Sequence, residues 1–494
     1  MGTAGGGTPA TNIPFSKVGA MPSWIEDELR TVDLPDSRLN DRFRVLLARL
    51  SDKPTLSIPA ACNGWAETQA AYRFFDNDKV DDRRLLKPHF EATLERIRQQ
   101  PVVLIAQDTT ELELTRAEER IGGPLSDEDH WGVHTHLALA VTPERLALGL
   151  VSSHTWARDP ATFRKRKEKQ GKPIEQKESH RWLEGYRRAC AVAAQAPPTQ
   201  VIALSDSEGD IYECFAAAAD GEGPKADWIV RACQDRCVRN GEETAEEKLF
   251  ATVAAGPVLG TLEIEVSSRK APSRDGSPRR QARSARTTRV AVQACPVVLQ
   301  PPDRLGGKVP PVSVHAVLVR EVRPPAGEAA IEWLLLTSLA ATTFTQAGDV
   351  IGFYTCRWEV EVYFRVLKGG CAVEELQFET TARFVNCLAV YQIVAWRVLF
   401  ALRRGRECPE LPCDAVFDEA EWRAVYQVMK GRAATTPPSL GDMVTWIAQL
   451  GGYLNRKGDG PPGPQTMWIG LQRARDFALA WIAIKHPPQS ESCV

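Results

Sequence analysis

The chain has 494 residues, 43% of them hydrophobic and 25% charged, and a formal net charge of −2. Those are globular values; the length is too great for one ordinary core, and roughly two to four units of structure are expected. No apolar run is read as reaching the ~18–20 residues that span a bilayer, so no membrane partner is expected, and the near-neutral charge excludes a protein that is basic from end to end.

The opening stretch, residues 1–23, has no apolar core of the signal-peptide kind and reads as a flexible leader. Without a secretion signal, the 12 scattered cysteines are expected to be reduced thiols in a cytoplasm. Cys233 and Cys237 lack a second pair to complete a zinc site.

Residues 24–85 form a helical N-terminal unit, with WIEDELR, RLNDRFRVLLARL and WAETQAAYRFFDN as helical patterns joined by proline-bearing connections. An α/β domain is expected over 86–380. In it PVVLIAQDTTELELT reads as a strand, HTHLALAVT and ALGLVSSHTW as its neighbours, and VIALSDSEGD as a fourth apolar run. The amphipathic ESHRWLEGYRRACAVAAQ supplies a helix before that fourth strand, giving an α/β arrangement. A β-rich stretch at about 225–340 reads as an insertion, and 381–494 is helical again.

Two basic runs interrupt this pattern, RKRKEKQGK at 164–172 and the arginine-rich 269–289, where Asp275 is the lone acid. Such runs suit contact with a polyanion, because each cation that neutralises a phosphate releases a counterion. Solvated loops are the other reading.

Asp108 lies within an otherwise apolar strand, and Asp206 stands where VIALS runs out into a polar turn, the usual place for functional groups in α/β sheets. Taken singly, each reads as a capping or turn aspartate; the functional reading comes from taking them together. In FYTCRWEVEVYFRVLKGG, Tyr354, Arg357, Glu361 and Lys368 follow at intervals of three, four and seven residues. On one α-helix they fall within roughly 60° of each other, either as a solvated face or as a set for a metal beside a phosphate. Asp108, Asp206 and Glu361 together suit two divalent ions, with magnesium or manganese matching all-oxygen ligands. A glycosidase reading of paired carboxylates leaves the adjacent cations unexplained.

Tyr-x2-Arg-x3-Glu-x6-Lys, with IAQDTT, SDSEGDIY and Trp333 placed 21 residues before Tyr354, resembles the YREK signature and carboxylates of the DDE transposases of insertion sequence family four. Ser207 departs from the arginine found at its place in a close relative. Weaker echoes, among them AYRFF, KESHRWL, WIVRA and LGGYLNRKGDGPPG, extend the resemblance over nearly the whole chain.

The resemblance implies an RNase H-like catalytic core with a β-rich insertion, between a helical DNA-binding N-terminal domain and a helical C-terminal dimerisation domain. It implies that Asp108, Asp206 and Glu361 are the catalytic metal ligands for two Mg or Mn ions. Tyr354, Arg357 and Lys368 would hold a DNA phosphate. Trp333 would stack on a flipped base, or else be a core aromatic; Arg231 would lie near that base, or else be a strand-end arginine. Arg38, Arg42 and Arg73 would contact DNA. The implied partners are double-stranded DNA, as transposon-end inverted repeats and as target, and a second copy of the chain in a synaptic complex; the implied place is the cytoplasm, at the bacterial nucleoid. Two rivals stay open: a DNA-binding protein that has lost activity, and a nuclease that never joins strands.

Overall fold

The computed structural model describes residues 23–115, 121–126, 129–163, 172–220, 223–239, 247–266, 283–305 and 307–485. Residues 1–22 of the expected leader, 164–171 of the basic run and 269–282 of the arginine-rich stretch lie outside the described residues, while Ser23 opens the first helix.

Helices α1 (Ser23–Glu28), α2 (Ser37–Asp52), α3 (Ile58–Ala61), α4 (Trp65–Phe75) and α5 (Asp82–Ile97) open the fold. Asp36 and Asp81 cap α2 and α5, accepting the backbone N–H groups of Arg38 and Arg84. The expected boundary at 85/86 falls inside α5. That helix was not apparent in the sequence because it carries Pro88 in its interior, a residue that usually breaks helices.

The strands are β1 (Val102–Glu113), β2 (Gly123–Pro124), β3 (Trp131–Val141), β4 (Ala147–Trp156), β5 (Gln200–Ser205), β6 (Asp227–Arg231), β7 (Cys237–Arg239), β8 (Glu247–Lys248), β9 (Val258–Val266), β10 (Arg286–Leu299), β11 (Val312–Glu321) and β12 (Glu332–Thr337). They form one 12-stranded sheet. Strands β4, β3 and β1 are antiparallel, and β5 and then β6 add in parallel. This is the RNase H-like core, with α6 (His180–Gln195) crossing from β4 to β5 and α7 (Tyr212–Ala219) from β5 to β6.

The insertion was expected to begin near 225. Instead β6 is a core strand, and the added β-rich part starts after it: β12 pairs antiparallel with β6, then β11 and β10 extend the sheet, with α8 (Leu249–Ala255) packed on β10 and β11. Pairing of β6 with β5 is long-range, and a strand's composition does not reveal its neighbour.

The chain returns through α9 (Phe344–Thr355) and α10 (Trp358–Arg365) to α11 (Thr381–Glu407), α12 (Glu419–Lys430), α13 (Leu440–Leu450) and α14 (Pro464–Lys485). Contrary to the reading of the apolar runs, α11 is by length and composition able to cross a membrane; 83% of its apolar window is buried inside the fold, as in a core helix. It packs against α2, α5 and β4, and so joins all three parts of the chain. At that junction the buried Glu28 carboxylate accepts from His89 Nδ1 and from Arg96 at 2.9 Å, while the Trp396 indole N–H donates to the Ala147 carbonyl at 3.0 Å.

Candidate active site

Two adjacent parallel strands bring the first two carboxylates level. The β1–β5 register pairs Ala106 with Leu204, so Asp108 and Asp206 stand two residues further on at the same height, where neighbouring strands lie about 5 Å apart. Side chains alternate along a strand. Leu104 and Ala106, like Ile202 and Leu204, belong to the core that also takes in Tyr354 and Val360, so the same face carries Asp108 and Asp206 toward the α9–α10 rod. The Asp108 carboxylate accepts the Thr109 N–H at 2.8 Å. Asp206 accepts the Glu208 N–H at 2.8 Å, capping the short turn after β5.

The third carboxylate comes from α10. The expectation of one regular helix carrying four residues on one face does not hold. A reciprocal capping box of Thr343 and Gln346 starts α9, which ends at Thr355. The junction is tightened by i→i−3 bonds from Cys356 N–H to Phe353 and from Arg357 N–H to Tyr354, and after Arg365 a π-helical turn, Val366–Gly370, widens the rod. Tyr354, Arg357 and Glu361 still converge. Arg357 donates to Asp108 Oδ2 at 3.1 Å and to Glu361 Oε1 at 2.6 Å.

Lys368, on the π turn, pairs with Glu374 at 3.1 Å, and Glu374 also accepts the Glu113 N–H at the far end of β1. Glu113 is five strand residues from Asp108, about 16 Å, so this lysine sits along the rod from the carboxylates.

Burial pushes the Asp108 carboxyl up to about 7; Arg357 opposes the rise, and the charges of Asp206 and Glu361 add to it. The mutual effect places all three carboxylates within electrostatic reach. Burial also raises the Tyr354 hydroxyl, against the pull of Arg357 and Arg231. Because the folded state keeps a proton on Asp108 that the unfolded chain gives up near pH 4, stability is lost as pH rises from about 4 to about 7. In metal-free buffer, wild-type stability relative to Asp108→Asn is therefore expected to fall by on the order of 1–3 kcal/mol across that window and to level off above it. Thermal melts of both proteins from pH 4.5 to 8 check this, and a pH-independent difference contradicts it.

Trp333 is half-buried at the rim of the same core, with its ring centroid 6.3 Å from that of Tyr354. Arg231 ends β6 exposed beside the Asp206 turn, since Ser205 pairs with Val230. The structure thus gathers Asp108, Asp206, Glu361, Tyr354, Arg357, Arg231 and Trp333 in one place. It puts Arg38, Arg42 and Arg73 elsewhere, on the N-terminal helices, where Arg38 is held by Asp36 at 2.7 Å. In the described part of the arginine-rich stretch, Arg286 is spent on Glu321 at 2.9 Å and on Glu328.

Three carboxylates on three elements fit hard divalent ions chemically. Among the described residues, however, no three Asp, Glu, His or Cys side chains converge as a metal-binding group as they stand. The Arg357 guanidinium lies between Asp108 and Glu361 as their counterion.

Sequence reasoning missed Glu359. Two residues from Glu361, it points to the other side of α10 and is fully buried, gripped by Arg145 at 3.3 Å and Arg403 at 2.6 Å. Arg145 lies in the β3–β4 turn with φ of 71° and also donates to the Thr355 hydroxyl at 2.9 Å, while Arg403 belongs to α11. Glu359 so fixes α10 to the β3–β4 turn and to α11. The signal was present in its neighbours, Cys356 and Tyr363, one turn away on the same buried face.

Residues 21–80 match the family model of transposase DNA-binding, and residues 393–481 match that of the Tn5 transposase dimerisation domain. The first covers α1 to α4 and the second runs from within α11 into α14; neither reaches the carboxylates. A match to a transposase DNA-binding model before the RNase H-like core, and to a Tn5 transposase dimerisation model after it, supports a DNA transposase of the Tn5-like kind. Among solved structures it is similar to the piggyBac transposase synaptic complex with hairpin DNA, at 8% identity and a TM-score of 0.32, over 97% of this chain and 77% of that one.

Proposed function

We propose that the protein is a cut-and-paste transposase that nicks transposon ends, cleaves them through a hairpin and joins the freed 3′ ends to target DNA at one carboxylate site. The observation that supports this reading is the Arg357 bridge between Asp108 and Glu361, together with the β1–β5 register that sets Asp108 level with Asp206. Magnesium or manganese bound there would supply an activated water and neutralise charge on the reacting phosphate. Asp108, Asp206 and Glu361 are the residues that would hold it.

The chain's own groups divide the remaining work. Released from its carboxylates, Arg357 offers a guanidinium fork to a phosphate, with the Tyr354 hydroxyl beside it. Lys368 acts further along the strand as a second cation. Trp333 stacks on a base turned out of the duplex, which eases the sharp bend of a hairpin. Arg38, Arg42 and Arg73 orient the end sequence, and two copies hold two ends in a synaptic complex. Water nicks one strand, the new 3′ hydroxyl attacks the opposite strand, a second water opens the hairpin, and the 3′ hydroxyl attacks target DNA.

The test is a labelled duplex bearing the inverted repeat that flanks the coding region, incubated with protein and magnesium; nicked, hairpin and joined products are expected, and an uncut duplex overturns the reading. In the same assay Trp333→Ala should nick normally and lose about tenfold in hairpin formation, the worth of roughly one stacked base. Equal hairpin yields would make Trp333 a core aromatic and nothing more.

A further inference from the structure

Behind the carboxylates, on the opposite face of the sheet, one side chain touches both segments that carry them. Thr109 Oγ1 accepts Arg181 Nε at 2.9 Å, and Glu208 Oε2 accepts Arg181 Nη2 at 2.7 Å. The third edge of the guanidinium donates to the Glu178 carbonyl at 2.8 Å, anchoring it to the start of α6. Thr109 and Glu208 are also the residues whose backbone N–H groups hold the Asp108 and Asp206 carboxylates, each at 2.8 Å. The same two residues thus present an amide to a carboxylate and a side chain to one arginine.

We propose that Arg181 is a positioning residue for divalent-metal binding, fixing Asp108 relative to Asp206 by clamping Thr109 and Glu208 from the far side of the sheet. This rests on the carboxylate-site reading above. The arginine of the clamp is enclosed, and its Glu208 arm is exposed. Arg181 is 15% exposed and lies over the rings of Trp156 and Trp182, each 5.7 Å away. Thr109 Oγ1 is also within 2.9 Å of His136 Nδ1; with Arg181 donating to that oxygen, the hydroxyl proton is left for the ring nitrogen. A planar five-donor fork spans three acceptors at once, which a lysine ammonium on the same stem does not match. Two carboxylates that must share small ions gain from having their separation fixed before the ions arrive, and groups that orient metal ligands typically contribute 10–100-fold in metal affinity.

The experiment measures Mn²⁺ uptake by the full-length, DNA-free protein, from the electron paramagnetic resonance signal of free Mn²⁺, alongside the Mn²⁺ midpoint for cleavage of the end duplex. Arg181→Met is expected to weaken Mn²⁺ binding at least about tenfold and to move the cleavage midpoint by a similar factor, with end-duplex affinity unchanged. Arg181→Lys should fall between. Thr109→Val and Glu208→Ala each remove one arm and should each weaken Mn²⁺ binding by a smaller factor; they carry the test if Arg181→Met does not fold. A wild-type protein that binds no more Mn²⁺ than Asp108→Ala overturns the carboxylate-site reading and this proposal with it. A wild type that does bind, with the arm variants or a folded Arg181→Met equal to it, overturns the positioning role alone.

Discussion

Asp108→Ala and Glu361→Ala should each lower end cleavage about a thousandfold or more. Metal ligation in such a site contributes several kcal/mol of charge stabilisation, and every 1.36 kcal/mol is a factor of ten in rate. Neither loss should come from unfolding. Asp108 is held raised to about 7, chiefly by burial, so removing it takes away a strained group, and Glu361 is partly exposed with one partner, Arg357. Both variants should therefore bind the end duplex and melt within a few degrees of the wild type. Gel-shift and cleavage assays on the same preparations separate the two properties, and a variant that cleaves like the wild type removes its residue from the site.

The second large effect concerns stability. Glu359→Ala should cost about 3–5 kcal/mol, the range for removing one partner of a buried ion pair, because Arg145 and Arg403 are left facing a cavity in place of their shared carboxylate. Glu359→Gln keeps the shape and part of the hydrogen bonding, and should cost less. The urea midpoint of each variant measures this; since Glu359 ties α10 to both the β3–β4 turn and α11, cleavage should fall together with the midpoint. An unchanged midpoint for the alanine variant would show that the carboxylate contributes no net stability.

Local patterning made much of the site legible. Asp108 stood out because a charged residue in the run VVLIAQD breaks a strand-like apolar series, and Asp206 because it ends one. The YREK spacing named the right helix segment, yet not its shape: the i→i−3 junction at Cys356 and Arg357 and the π turn around Lys368 depend on packing, and nothing in one-dimensional spacing distinguishes them from a straight helix. That is why Lys368 looked like a neighbour of Glu361 and is instead paired with Glu374. Long-range pairing hid more. The place of β6 in the core sheet, the level register of Asp108 and Asp206, and the Arg181 clamp all join residues dozens of positions apart. Glu359 was hidden for another reason, since a glutamate on a charged helix reads as solvated until the arginines that reach it are seen.

The central claim is that one carboxylate site both cuts and joins DNA, and denaturing gels of a time course with the labelled end duplex, target plasmid and magnesium test it most directly. The account predicts a nick first, a hairpin-ended fragment next and strands joined to the plasmid last, with all three absent from Glu361→Ala. Cleavage that yields only open, unjoined ends, or joined products that persist in Glu361→Ala, would contradict it.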